Sequence, residues 1–304
     1  MTAPPADPSA TPSAAHHPGL LFLAQASSTI AALRTGFTVV KVGGSIQDVP
    51  QQIGQVMAQV ATLRALGANI VVIHGGGKAI SAATKAAGIE PRFVSGQRFT
   101  DAATLAVAER VLATQVNAEL CAALAAHGAT PAPLHSLGCC VLEATLAITK
   151  PGFELGLVGT ITSVRTDVIA ALCHASHVPV IGPIATYAAA APYKLNINAD
   201  LAGGAVAAAL AASRFILVSD TAGVRTNPVD PATAAKALDR ATISRLIASM
   251  AIDGGMLPKI EACLNVLATS PSCHIMITDG RQPMGLLSAI FEPDLAPATR
   301  ITNN

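Results

Sequence analysis

FTVVKVGG at 37–44 and NIVVIHGGG at 69–77 decide how this chain folds. Each is a short run of apolar, largely β-branched residues that ends in glycines. Such a run reads as a strand buried on both faces, the pattern of a parallel sheet. The glycines read as a tight turn from strand into helix.

The pattern repeats on either side. Residues 50–66 and 78–87 carry helical periodicity, the first closed by Gly67. Residues 101–127 predict a long helix whose start Thr100 or Asp101 can cap. Residues 140–165 read as short strands with turns at Pro151-Gly152 and Gly159. HVPVIGPIA (177–185) reads as one more buried strand. An Ala-rich helix follows at 199–212, then the strand RFILVSD (214–220) and the loop TAGVRTNPVDP (221–231). Residues 241–250 are helical, IDGGMLPK (252–259) is a glycine loop opening a helix through 269, and HIMITDG (274–280) is a strand. Strands alternating with helices predict an α/β fold with a mainly parallel central sheet covered on both faces.

Residues 1–18 are Pro, Ala, Ser and Thr with two His, and predict a disordered tail. Residues 19–36 predict an N-terminal helix. Its apolar stretch GLLFLAQASSTIAALR packs on its own domain or docks as an arm on a neighbouring subunit.

Composition narrows the class. Hydrophobic residues make up 51% of 304 and charged residues 12%, enough for a sizeable core. A formal net charge of +1 argues against a general nucleic-acid binder, which needs a basic face. Cys121, Cys139, Cys140, Cys173, Cys263 and Cys273 form no CxxC pair and suit a reduced intracellular protein. The richest apolar stretch, Leu201 to Val218, is interrupted by glycines, Ser213 and Arg214, so no membrane span is expected. The N-terminus lacks a basic region followed by an apolar core, and the expected location is cytoplasmic.

Chemistry is expected where strands end. Ligands of open α/β sheets collect at the carboxyl ends of strands, and glycines there let backbone N–H groups approach a phosphate. Gly43-Gly44, Gly75-Gly76-Gly77 and Gly254-Gly255 make three such loops, beyond what tight turns alone require. None fits GxGxxG or GxxxxGK[ST]. Lysines flank them instead: Lys41 before the first, Lys259 after the third. A lysine at the end of an apolar strand is costly unless it has a task. Asp200, near the start of the Ala-rich helix, reads alone as a cap; beside the lysines it reads as a carboxylate that holds lysines or Mg2+ in place. Cys173, His174 and His177 have metal-like spacing without a fourth ligand, and read as a helix end. His74 reads as structural or as supporting the site.

KVGGS (41–45), HGGGK (74–78), FVSGQRFTD (93–101), LNINADLAGG (195–204), SDTAGV (219–224) and GGMLPKIEAC (254–263) occur in this order. Together they resemble the amino-acid kinase family, over about residues 38–290. The resemblance implies a three-layer α/β/α sandwich in two lobes, a substrate-binding lobe at 37–185 and an ATP-binding lobe at 186–304. It implies phosphoryl transfer from ATP, with Mg2+, to the γ-carboxylate of N-acetyl-L-glutamate, in a homo-oligomer that is a dimer or a hexamer. Lys41 and Lys259 would neutralise the transferred phosphoryl, and Asp200 would orient both. Gly43, Gly44, Gly75 and Gly76 would donate backbone N–H groups. Arg98 would grip the α-carboxylate of the acceptor and Asn196 would contact it. Asp220, Gly223, Val224 and Gly255 would line the nucleotide site. No protein metal ligands are implied.

The chain departs from the family pattern in places. HSLGCCVLEA (135–144) stands where a glycine- and acid-bearing loop usually encloses the substrate. Lys78 stands where proline is common. The C-terminal RQPMGLLSAIFEPDLAPATRITNN lacks the glycine-rich ending of arginine-inhibited members. These departures leave open a sister kinase acting on another acyl amino acid, such as N-acetylaminoadipate. A non-catalytic nucleotide or amino-acid sensor is the third reading.

Overall fold

A computed structural model describes residues 18–47, 49–94, 96–149, 152–190 and 193–303. Residues 1–17 of the expected tail and Pro151 of the expected turn lie outside them. The chain opens with α1 (Pro18–Thr35), β1 (Phe37–Val42), a single turn α2 (Gly44–Gln47) and α3 (Pro50–Ala65). β2 (Asn69–His74) leads into α4 (Gly77–Ala86) and a ribbon of β3 (Phe93–Val94) and β4 (Gln97–Arg98). α5 (Ala102–Val111) and α6 (Asn117–Ala126) are joined by a π-helical turn, Leu112–Val116. Then come β5 (Thr130–Leu134), β6 (Leu142–Leu146), β7 (Gly159–Val164), α7 (Thr166–His174), β8 (His177–Ile181), β9 (Ile184–Tyr187) and β10 (Lys194–Asn196). The second half holds α8 (Ala199–Ala209), β11 (Arg214–Ser219), β12 (Ala237–Leu238), α9 (Arg240–Ala248), α10 (Leu257–Thr269), β13 (His274–Asp279), α11 (Gly285–Phe291) and β14 (Ala298–Ile301).

Eight strands form one sheet in the order β12-β14-β13-β11-β1-β2-β8-β5. Every pair from β13 to β5 is parallel, and β14 runs antiparallel to β13. Helices cover both faces. β1 shows the logic: Val39 joins the core under α7, α8 and α10, while Val40 and Val42 join the core under α3, α6 and α11. Successive side chains of a strand alternate faces, so Lys41 shares the face of Val39 and lies beneath α8. Two glycines let α8 come that close. A Cβ on Gly203 would stand 3.2 Å from the Phe215 ring, and one on Gly204 would stand 3.0 Å from the Ala262 Cβ of α10. A leucine at 204 would push α8 off α10 and cost about 1–3 kcal/mol by overpacking.

One expectation needed correction. HVPVIGPIA is two strands, not one. β8 ends at Ile181, and Pro183, which has no N–H for a ladder, diverts the chain into a second sheet of order β10-β9-β6-β7. β9 spans residues 185 and 186, where the lobe boundary was expected. The helix over 101–127 exists, started by Asp101, whose side chain accepts from Thr104 N at 2.7 Å. Its middle is a π turn packed on the second glycine loop: a Cβ on Gly76 would stand 2.6 Å from Leu112 Cδ2. α1 divides its loyalties. Ala26 and Leu33 are buried on the chain's own core, whereas Leu20, Leu21, Phe22 and Leu23 are exposed. Among the described residues no helix is long and apolar enough to cross a membrane.

Candidate active site

Lys41 is the penultimate residue of β1 and is only 5% exposed. Its Nζ lies 2.7 Å from Asp200 Oδ1, and Lys259 Nζ lies 3.3 Å from Asp200 Oδ2. One carboxylate on α8 thus ties β1 to α10. Asp200 is not the cap of its helix. Asn198 is: its Oδ1 accepts from the N–H groups of Asp200 and Leu201 at 2.9 and 3.2 Å. The Asp200 side chain is thereby spared for the lysines.

The charges are unbalanced. Two ammonium groups face one carboxylate, which leaves a surplus positive charge in a buried place. Burial alone would raise the Asp200 pKa, but Lys41 and Lys259 outweigh it and hold the carboxyl below the usual range. Burial pushes Lys41 down; Asp200 opposes that and Lys259 adds to it. A buried surplus cation is stabilised by an anion brought to it.

Lys41 and Asp200 open onto a cavity of about 410 Å³, whose lining does not include Lys259. Lys41, Asp200, Gly44, Gly75, Gly76, Arg98 and Asn196 all line it. The glycine loops divide their work in a way that sequence did not reveal. Gly43 N–H donates to Val218 O at 2.8 Å and Gly75 N–H to Val42 O at 3.2 Å, so both are spent on the sheet. Among the described residues no carbonyl accepts from Gly44 or Gly76 N–H. A Cβ on Gly44 would stand 3.8 Å from Gly76 N and 3.5 Å from Gly77 N. These amides therefore cluster, and a methyl at 44 would cover them.

Arg98 lines the cavity from β4. Its Nη2 donates to Gly77 O at 2.8 Å and to Ser81 Oγ at 2.7 Å, and its Cζ lies 4.9 Å from the centre of the Phe93 ring. Its Nη1 is buried without a partner. A held guanidinium with a spare donor suits a carboxylate. Asn196 Nδ2 donates to Thr100 Oγ1 at 3.1 Å.

Other expected residues lie apart from this cavity. Asp220 is exposed at the end of β11, with Ser219 Oγ 3.3 Å from its Oδ1. Gly223 and Val224 are buried against β14, where Val224 N–H donates to Thr299 Oγ1 at 2.8 Å. Gly255 sits in the turn before α10, and its carbonyl accepts from Lys259 Nζ at 3.0 Å. Cys173 is buried, its Sγ 3.8 Å from Ile70 O, while His177 Nδ1 contacts Ala175 O at 3.0 Å. Among the described residues no three His, Cys, Asp or Glu side chains converge as metal ligands.

Sequence reasoning missed Ser81, Asn198 and Thr299. Asn198 was findable, because an Asn two residues before an acidic first turn is a cap signal. Ser81 and Thr299 are brought to their partners from distant elements and leave no local mark.

Fold and site together bring cations and backbone donors to one cavity, a geometry that suits phosphoryl transfer. Residues 36–278 match the model of the amino acid kinase family. The chain is 35% identical over 274 residues to an acetylglutamate kinase of Symbiobacterium thermophilum, covering 88% of this chain and 92% of that one. It is 38% identical over 268 residues to an acetylglutamate kinase of Sphingopyxis alaskensis, covering 83% and 85%. Two solved structures share the fold. N-acetylglutamate synthase from Neisseria gonorrhoeae has a TM-score of 0.79 at 19% identity; the match covers 94% of this chain and 63% of that one. This chain thus spans less than two thirds of the synthase. Carbamate kinase from Giardia lamblia has a TM-score of 0.64 at 16% identity, covering 88% and 99%. The chain belongs to the amino acid kinase family.

Proposed function

We propose that this chain transfers the γ-phosphoryl group of ATP to the γ-carboxylate of N-acetyl-L-glutamate, giving N-acetylglutamyl 5-phosphate and ADP, a step of arginine biosynthesis. The observation that carries the reading is the buried Lys41–Asp200 pair, joined by Lys259, at one cavity with the spare donor of Arg98. The names of its relatives support the same choice.

The acceptor carboxylate is already ionised at neutral pH, so the reaction needs no base. Its difficulty is bringing two anions together. Arg98 and Asn196 hold the acceptor with its γ-carboxylate toward Lys41. Lys41, Lys259 and the N–H groups of Gly44 and Gly76 receive the charge that spreads over the phosphoryl oxygens. Asp200 holds both lysines in place. The nucleotide extends toward the end of β11, beside Asp220, the Gly223-Val224 loop and Gly255.

Mg2+ fits this site as a companion of ATP rather than as a resident ion. The Asp200 carboxylate is engaged by two lysines, and Mg2+ is commonly held through substrate phosphates. Bound there, it would offset phosphate charge. We place the substrate lobe before α8 and the nucleotide lobe from α8 onward, in a cytoplasmic homo-oligomer, a dimer or a hexamer. The exposed apolar start of α1 supports association.

The test is coupled ADP release with MgATP and a panel of N-acetylglutamate, N-acetylaminoadipate, N-acetylaspartate, glutamate and no acceptor. Preference for N-acetylglutamate is expected. Preference for N-acetylaminoadipate would shift the substrate while keeping the chemistry. The unusual 135–144 loop gives that alternative little support, since none of its residues lines the cavity. The assembled array argues against a sensor.

A further inference from the structure

His74 ends β2, immediately before the second glycine loop, and is fully buried. It does not line the cavity. Its ring is nonetheless fixed at both nitrogens. Nδ1 lies 2.8 Å from Gly75 O, and Nε2 lies 3.1 Å from Asn117 Nδ2. Asn117 Nδ2 also donates to Val180 O at 2.9 Å. A carbonyl only accepts, so Val180 sets the orientation of the Asn117 amide with its nitrogen toward the ring. Nε2 must then accept, and Nδ1 must carry the proton it gives to Gly75. Burial holds the ring pKa down at about 4, which keeps it neutral with that single proton. Among the described residues His135 is the other titratable group that acts on it, and it lowers it further.

The consequence lies on the far side of one peptide bond. In a planar trans peptide the C=O and the following N–H point in opposite directions. The Gly75 carbonyl is turned toward the buried ring, so Gly76 N–H is turned away from it, toward the cavity that Gly76 lines. A glycine on each side of that bond leaves the plane free to rotate unless something holds it.

We propose that His74 is a positioning residue: by donating from Nδ1 to the Gly75 carbonyl it locks the Gly75–Gly76 peptide with the Gly76 N–H aimed at the transferred phosphoryl group. Asn117 selects the tautomer that makes this possible. The inference rests on the phosphoryl-transfer reading of the cavity. It adds an element that the lysine array does not supply, a preorganised neutral donor whose aim is set from inside the core.

The test compares wild type, His74→Leu and His74→Asn in coupled ADP release, with circular dichroism to confirm folding. Asn places an N–H near the position of Nδ1; Leu has none. His74→Leu should lower kcat roughly 10–100-fold, the scale of a misaimed oxyanion donor. The KM values for ATP and acceptor should change little, and His74→Asn should recover most of kcat. A merely structural role would cost stability without splitting kcat from KM and without rescue by Asn. A folded His74→Leu enzyme with wild-type kcat would overturn the proposal. Ring 15N NMR on the wild type provides a readout that does not depend on any variant folding. It should show Nδ1–H and bare Nε2 from pH 5.5 to 8, and the opposite tautomer would overturn the proposal. A wild type inactive with every acceptor would instead defeat the kinase reading, an outcome distinct from a failed variant comparison.

Discussion

Asp200 holds two lysines that would repel one another without it. Replacing it with Asn keeps the shape and removes the charge. We expect Asp200→Asn to lower turnover by about 10²–10³-fold and to destabilise the fold by about 3 kcal/mol, because Lys41 is left buried without its counter-ion. Steady-state kinetics and denaturant melts check both. Arg98→Lys keeps the charge but loses the fork that serves Gly77 and Ser81, so the KM for the acceptor should rise about 10-fold or more while the KM for ATP holds. His74 makes a prediction about pH. Its folded pKa of about 4 lies below the ordinary 6.5, so the unfolded chain takes up the proton first as pH falls. Stability should therefore drop between pH 6.5 and 4, by on the order of 3 kcal/mol from this residue. Denaturant midpoints across that range should show the slope, and His74→Asn should lack this part of it. Lys41 was visible in the sequence because a lysine ending an apolar strand is costly; Asp200 gained its role beside the lysines, and Arg98 came from the motif it sits in. Ser81, which holds Arg98, and Asn117, which holds His74, were not visible, because a hydrogen bond across the fold leaves no periodicity behind.

Elements differ in how openly they declare themselves. β1, β2, β11 and β13 are buried on both faces, and their unbroken apolar runs announce them. α11, β5, β12 and β14 escaped sequence reading, and of α7 only its end at Cys173-His174 was read. β5, TPAPL, carries two prolines and sits at the sheet edge, where the ladder tolerates them. β14, ATRI, is defined by pairing with β13 and by its grip on the loop after β11. That grip is testable. Gly223 has φ +118, and a Cβ there would stand 2.8 Å from Thr299 N. Gly223→Ala should lower stability by about 1–3 kcal/mol and weaken ATP binding more than acceptor binding. Thermal melts and separate KM values distinguish this loop from the acceptor end of the cavity.

At the scale of the molecule, the first and second halves of the chain share one central sheet. β1 pairs with β2 of the first half and with β11 of the second. The two hydrophobic clusters lie on opposite faces of the sheet, and each draws residues from both halves: Val71 with Phe215 in one, Val72 with Ile216 in the other. Unfolding should thus be a single cooperative transition, with circular dichroism and hydrogen exchange coinciding. A pattern of alternating elements reveals the layers but not which strands sit side by side. The reaction proposed for the Lys41–Asp200 cavity makes an acyl phosphate. It is tested most directly by running the reaction with MgATP, N-acetylglutamate and hydroxylamine, which captures acyl phosphates as hydroxamates. The account predicts hydroxamate formed in step with ADP and lost in Asp200→Asn. ADP release without hydroxamate, or no acceptor-dependent reaction in folded protein that binds ATP, would contradict it.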